Sequence, residues 1–304
     1  MLELNRILVV VEPDAGKQQP ALNRAKQLAK FADAELELFN ADFSTYLEDG
    51  YYFDPVRAKE LRQEHGEKNL QSLEQLAAPL RSNGLEVSCA TAWGNPPFEE
   101  VVRRVEELKP DLVIKSTRHH NKLARVFLSN EDWELIRYCS CPLLLAKEDQ
   151  AWSTSPNILV AVDPEHSHDK PASLDHKLIN SANILASRSG GEVHVYHSTH
   201  LPPLSGLYPI ESDLSVDQKM LVDLAAQYEI SPEHCHVADT DISVSLPSFV
   251  NELKASCVVM GAVSRSRIDR LLIGNTAEKV LDNLTCDVLV VKPDTHISSG
   301  KLLL

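Results

Sequence analysis

Arg6-Ile-Leu-Val-Val-Val-Glu-Pro13 and Asn157-Ile-Leu-Val-Ala-Val-Asp-Pro164 are one pattern written twice, 151 residues apart. Further blocks answer each other in the same order. Glu35-Leu-Glu-Leu-Phe-Asn40 recurs as Glu192-Val-His-Val-Tyr-His197, and Asp111-Leu-Val-Ile-Lys115 aligns with Cys257-Val-Val-Met-Gly261 at an offset of about 146. Cys141-Pro-Leu-Leu-Leu-Ala-Lys147 returns as Cys286-Asp-Val-Leu-Val-Val-Lys292. A period near 150 residues is a duplicated domain, far longer than a solenoid unit. The polar stretch 148–156 reads as the linker, which divides the chain into a first domain 1–147, a second domain 157–293 and a tail 294–304.

Within each half, short β-branched runs alternate with helical periodicity. Ala21, Leu22, Ala25, Leu28, Ala29 and Ala32 fall three and four apart and form one apolar helix stripe. A second helix, from about Val56, stops at Asn83-Gly84, where glycine accepts the left-handed conformation of a helix end. Runs such as Leu8-Val-Val-Val11 lack strict alternation, as expected of strands covered by helices on both faces of a parallel sheet. The predicted fold is α/β: two tandem, doubly wound, five-stranded parallel-sheet sandwiches. In such folds a ligand binds where the carboxyl ends of strands 1 and 4 diverge.

Composition removes several classes. Lys plus Arg number 30 and Asp plus Glu 44, a formal charge of −14 over 304 residues. That surface repels phosphate backbones and anionic lipid, so no nucleic acid and no membrane partner is expected. No apolar run approaches the roughly 18 residues of a membrane span. Six cysteines at low density, most of them in or beside apolar runs, suit a reducing, cytoplasmic setting. Trp93, Trp133 and Trp152 are too scattered to stack bases and are expected in core or linker packing.

The chemistry concentrates in the loop Gly261-Ala-Val-Ser264-Arg265 through Gly274-Asn275-Thr276, which leaves a buried strand and enters a helix. Glycines allow a backbone to approach phosphate oxygens, and helix-start amides supply donors for an anion. The bland alternative is that Gly261 and Gly274 are turn residues needing positive φ. Arg265, Arg267 and Arg270 would then pair only with neighbouring carboxylates. Asp163 is either a site carboxylate or an ordinary cap.

This strand, the Gly-x2-[Gly]-x9-Gly-[Ser/Asn] loop and the following Thr276-Ala-Glu-Lys-Val-Leu resemble the signature of the universal stress protein family, whose architecture is that of the adenine-nucleotide α-hydrolases. Because the repeat spans nearly the whole chain, the likeness is to the tandem two-domain, E-type members. The resemblance implies a cytoplasmic stress-response protein that binds a small molecule, ATP or another nucleotide-type ligand, without an established reaction. Carried over position by position, it assigns the adenine and ribose contact at the end of strand 1 to Asp163, beside Pro164. It puts the strand-2 position near Ser198 and the phosphate loop at Gly261, Ser264, Arg265, Gly274, Asn275 and Thr276. Ser264 departs from the family's second glycine.

At the offset of 146 the first half reads Lys115 for Gly261, Arg118 for Ser264, Leu128 for Gly274 and Ser129 for Asn275, with Glu12 for Asp163. That half is expected not to bind nucleotide. No catalytic set is visible, neither a G-x-S-x-G elbow nor Gly-x4-Gly-Lys-[Ser/Thr]. No metal is expected: His166, His168, His119, His120, Cys139 and Cys141 lack the spacing of a closed site, and His194 and His197 read as strand residues.

An enzyme of the adenine-nucleotide α-hydrolase kind, with weak ATP hydrolysis, is the reading the missing catalytic set argues against, and two others stand beside the leading one. The chain could be a ligand-free interaction module: an intramolecular pseudo-dimer whose exposed last strands, 142–147 and 286–292, pair with a second copy or a partner protein. Or the aromatic loop 42–56, with Tyr46, Tyr51, Tyr52 and Phe53, and the proline-rich loop 199–212 could cover a cleft for a larger ligand with an apolar group.

Overall fold

The apolar runs fold as strands buried from both sides: Ile7, Leu8, Val9, Leu112, Val113 and Ile114 expose no surface. The computed structural model of the chain describes residues 2–12, 19–48, 54–117, 128–147, 151–164, 172–199, 214–262 and 280–293. The first half runs β1 (Arg6–Val10), α1 (Pro20–Ala32), β2 (Glu35–Asp42), α2 (Pro55–Ser82), β3 (Val87–Trp93), α3 (Pro97–Leu108), β4 (Leu112–Ser116), α4 (Asn130–Tyr138) and β5 (Leu143–Ala146). The second runs β6 (Asn157–Ala161), α5 (Ala172–Ser189), β7 (Glu192–Ser198), α6 (Leu214–Ala226), β8 (Cys235–Ala238), α7 (Ile242–Glu252), β9 (Ala255–Gly261) and β10 (Asp287–Val291). The helix stop expected at Asn83-Gly84 is found, with Gly84 at φ 84°.

The two sheets are not separate. Ten strands form one sheet in the order β3-β2-β1-β4-β5-β10-β9-β6-β7-β8. Every pairing is parallel except β5 with β10, where Leu143, Leu144 and Leu145 meet Val290, Leu289 and Val288 antiparallel. This corrects the expectation that strands 142–147 and 286–292 are exposed docking edges. Each satisfies the other's ladder, and the edges of the sheet are β3 and β8. Both core layers, one on each face, run across the junction; the layer holding Ile7 and Leu28 also holds Leu178 and Leu289.

The linker is packed into that junction. Trp152, 6% exposed, donates its indole Nε1 hydrogen to Asp287 Oδ2 at 3.0 Å and lies under the Arg24 guanidinium, 4.4 Å from the ring centre. Arg24 and Asp287, both buried, pair at 2.5 Å. The Lys147 amide donates to Asp287 Oδ1 at 2.9 Å, so the carboxylate that opens β10 gathers donors from α1, the linker and the end of β5.

Strand register also corrects the sequence alignment of the halves. Val9 pairs with Ile114, and its counterpart Val160 pairs with Val259. Leu144 beside Ile114 corresponds to Leu289 beside Val259. The offset here is therefore 145 (259 − 114), not 146, and a one-residue slip moves every side chain to the opposite face. Ser116 is the partner of Gly261, and Lys115 that of Met260. Carried through the loop, the offset pairs Gly274 with Ser129 and Asn275 with Asn130, not with Leu128 and Ser129.

Candidate functional site

The carboxyl ends of β7, β6 and β9 lie side by side. Ala161 is in register with Tyr196, Val160 with Val259, and Gly261 with Val291. Two residues beyond Ala161, Asp163 thus stands between Ser198, at the end of β7, and Gly261, at the end of β9. Of the expected site residues, Asp163, Pro164, Ser198 and Gly261 share this margin. Ser264, Arg265, Gly274, Asn275 and Thr276 lie outside the described residues, as do most of the proline-rich loop and Tyr51, Tyr52 and Phe53.

Each placed residue has a local reason for its position. The Asp163 amide donates to Asp175 Oδ1 at 3.2 Å, tying the end of β6 to the first turn of α5. Ser198 Oγ donates to the Thr240 carbonyl at 3.0 Å, which fastens β7 to the turn after β8. Gly261 does not need positive φ. A Cβ at this position would stand 2.9 Å from Leu174 Cδ2, so the absent side chain makes room for α5 to pack on β9. The turn-residue explanation is replaced by a packing one.

Beneath this margin lie two groups that the sequence reading did not select. His197 and Asp217 are each 3% exposed. His197 Nδ1 donates to the Val162 carbonyl at 3.1 Å, leaving Nε2 buried and without a hydrogen-bond partner among the described residues. Asp217 Oδ2 is in the same condition. A buried polar atom left unpaired costs about 1–3 kcal/mol and is normally satisfied by water or a ligand.

The first half shows what the same positions look like when closed. His197 answers Asn40, and Asp217, Leu221 and Ala225 repeat the buried Asn69, Leu73 and Ala77 of α2. Asn40 Nδ2 donates to the Val11 carbonyl at 3.0 Å, the counterpart of the His197 bond. Asn69 Nδ2 then donates to Asn40 Oδ1 at 3.2 Å and to Asp42 Oδ2 at 2.9 Å, and His65 Nε2 meets Asp42 Oδ2 at 2.6 Å. Burial opposes the Asp42 charge, but bonds from His65, Asn69 and the Phe43 amide outweigh it, and its pKa falls below the usual value. Trp93 closes the network, with Phe43 and His65 rings at 5.8 and 5.9 Å.

At the helix start of that half, the counterpart of the expected phosphate loop, the chain supplies its own charges. At the start of α4, Ser129 and Asp132 form a reciprocal capping box. Asp132 Oδ1 also accepts from Lys115 Nζ at 2.7 Å, and Glu131 stands 3.3 Å from the same ammonium. Burial pulls the Lys115 pKa down, but Asp132, Glu131 and Glu12 more than offset it and the net shift is upward. A carboxylate and its lysine thus occupy the helix start that answers the expected phosphate loop of the second half. Leu128, aligned with Gly274 at the offset of 146, instead precedes the cap and is held by Asp282 Oδ1, which accepts from its amide at 3.2 Å.

Asn69 and Asp217 carried a readable signal: a polar residue interrupts the apolar stripe of a helix one turn before a buried leucine. Asn40 and His197 did not, because their partners come from distant strands. A separate cleft of about 310 Å³ lies at the junction beside Arg24, Trp152, Lys254 and Asp287, near the amino ends of β9 and β10 and away from Asp163. No helix among the described residues is long and apolar enough to cross a membrane.

Comparison with known proteins agrees with this architecture. A family model described as the universal stress protein family matches residues 3–147 and again 155–292. Universal stress protein E of Escherichia coli K12 is 29% identical over 306 aligned positions, covering 97% of this chain and 96% of that protein. The Haemophilus influenzae homologue of that protein is 26% identical over 96% of this chain and 98% of its own length. A crystal structure of a universal stress protein from Pseudomonas aeruginosa UCBPP-PA14 superposes with a TM-score of 0.76 at 30% identity, over 96% of this chain and 94% of that one.

Proposed function

Because the chain belongs to the universal stress protein family, twice over along its length, we propose that it is a cytoplasmic, non-catalytic stress-response protein that binds a small nucleotide-type ligand, ATP or a relative, through its second half. The first half, residues 1–147, serves as structural partner. The observation that carries this reading is the contrast between the two carboxyl margins. In the first half, Asn40, Asn69, Asp42 and His65 satisfy one another and Asp132 occupies the helix start. In the second half, His197 Nε2 and Asp217 Oδ2 are buried beside the strand ends without partners among the described residues.

In this reading Asp163 holds the ribose or base, with Pro164 and Ser198 flanking it. The backbone from Gly261, Ser264 and Arg265 to Gly274, Asn275 and Thr276 holds the phosphates. Nothing in the set supplies a nucleophile with an oriented base, so binding rather than turnover is the proposed activity. No metal ion is needed for it.

Native mass spectrometry of the purified protein, followed by equilibrium dialysis with ATP, tests the proposal. One nucleotide per chain, lost in Asp163→Ala and in Gly274→Ser, the latter copying Ser129, is the expected result. An empty protein with no measurable nucleotide binding overturns it in favour of the ligand-free pseudo-dimer. Release of a molecule with an acyl chain would replace the nucleotide by the larger ligand, for which the 80%-exposed Tyr46 after β2 is the first contact to test.

A further inference from the structure

On the opposite margin of the same half, at the amino ends of β7 and β8, three imidazoles and a carboxylate converge. The two strands are parallel, with Tyr196 in register with His236, so residues 40 apart in sequence become neighbours. Glu192, His194 and His234 each offer a ligand atom, and these atoms lie within 4.8 Å of one another. The His194 and His234 rings are 4.3 Å apart between centres, and His194 Nδ1 stands 3.1 Å from His236 Nε2. His234 Nε2 is 3.9 Å from Glu192 Oε2.

We propose that Glu192, His194 and His234 bind a divalent transition-metal ion of the Zn²⁺ type, with His236 as the hydrogen-bond partner that orients His194. A tetrahedral ion with bonds of about 2.0–2.1 Å needs ligand atoms about 3.3 Å apart, and side-chain adjustments of about 1 Å bring these to that spacing. Two imidazoles with one carboxylate are a donor set for zinc, nickel or copper and a poor one for calcium or magnesium, which take all-oxygen shells. An imidazole that binds metal through one nitrogen usually gives its other to a hydrogen bond, which is the place His236 holds.

This site is independent of the nucleotide reading. Ser198 lies six residue steps beyond Glu192, about 20 Å along β7. The ion would fasten the edge strand β8 and the short 3-10 turn Pro232–His234 to β7. The spacing did not mark the site, because His234 lies 40 residues beyond His194 and joins Glu192 and His194 of β7 only through the pairing of β7 with β8.

The full-length protein, stripped with a chelator, is titrated with zinc sulfate and read by native mass spectrometry and thermal unfolding. One zinc per chain is expected, with a higher Tm in saturating metal. His234→Ala and the exposed Glu192→Gln should each lower zinc affinity at least 10-fold while leaving the metal-free Tm close to wild type. His236→Ala should lower it about 10-fold. The proposal falls if His234→Ala and Glu192→Gln bind zinc as tightly as wild type, or if the bound zinc disappears only in Cys139→Ser/Cys141→Ser.

Discussion

Lys147 and Lys292 reach across the middle of the sheet in opposite directions, Lys147 to the end of the helical turn 280–283 of the second half and Lys292 to the end of α4 of the first. Lys147 Nζ donates to the carbonyls of Leu281 and Leu284, and Lys292 Nζ to those of Arg137 and Cys139. Each lysine follows the strand that meets its counterpart antiparallel, and each satisfies carbonyls that a helix end leaves unpaired. The ammonium groups also lie at the negative end of the helix dipole.

Burial pushes both lysines down to about 8, only partly opposed by Cys286, Asp282 and Asp287 around Lys147 and by Cys139 and Cys141 around Lys292. Between about 8 and the ordinary 10.5 the unfolded chain therefore binds more protons at these sites than the folded one, and their contribution to stability rises with pH across that window. Lys147→Met removes one such contribution and leaves two carbonyls unpaired, at a cost of about 1–3 kcal/mol near pH 7. The gap between wild type and Lys147→Met in urea unfolding should widen from pH 7.5 to pH 10 (on the order of the pKa window). A gap that narrows would refute the assignment. Comparing the two proteins cancels the opposing effect of Cys257, whose thiol burial raises well above its usual value.

Asp287 is the polar centre of the junction. Asp287→Ala strands the buried Arg24 guanidinium and should cost about 3–5 kcal/mol in denaturant unfolding. Arg24→Met leaves the carboxylate with the Trp152 indole and the Lys147 amide and should cost less. Equal losses would mean that the ion pair is incidental to the junction.

His197→Asn/Asp217→Asn copies the closed arrangement of the first half into the second. The pair should raise the Tm of the ligand-free protein by satisfying atoms that are now unpaired, worth about 1–3 kcal/mol. It should also lower nucleotide affinity by about 10-fold or more, equivalent to about 1.4 kcal/mol. A higher Tm with unchanged binding would place the ligand elsewhere.

Gly261→Ala tests whether that glycine serves helix packing. The new Cβ would press on Leu174 Cδ2, and a loss of about 1–3 kcal/mol is expected. In the Leu174→Ala background the same change should cost nearly nothing, a coupling that thermal unfolding of the four proteins would show. Additive losses would exclude the contact as the reason for the glycine.

The alternation of strands and helices, the duplication and the end of α2 at Asn83-Gly84 were all legible, because hydrophobic period and glycine chemistry are local properties. The joining of the sheets was not. A run such as Leu143-Leu-Leu-Ala146 reads as a buried strand whether its neighbour comes from the same half, the other half or another chain. The one-residue slip at Lys115 has a similar origin: the short apolar run Leu112-Val-Ile114 aligns equally well at two offsets, and only the pairings of Val9 with Ile114 and of Val160 with Val259 decide between them. Asp163, Ser198 and Gly261 were placed at one margin by their positions at strand ends. His197 read only as a strand residue, because burial of a polar atom depends on contacts from distant parts of the chain, and Asp217 was passed over although it interrupts the apolar stripe of α6.

The antiparallel meeting of β5 and β10 has the geometry of a two-fold dimer interface built within a single chain. In a symmetric pair of identical subunits, every substitution appears at both sites, so neither can be sealed without losing the other. Covalent fusion removes that constraint. One copy of the margin carries Lys115, Asp132 and the Asn40–Asn69 bond as fixed architecture, while the other, with His197 Nε2 and Asp217 Oδ2 unpaired among the described residues, stays free to change.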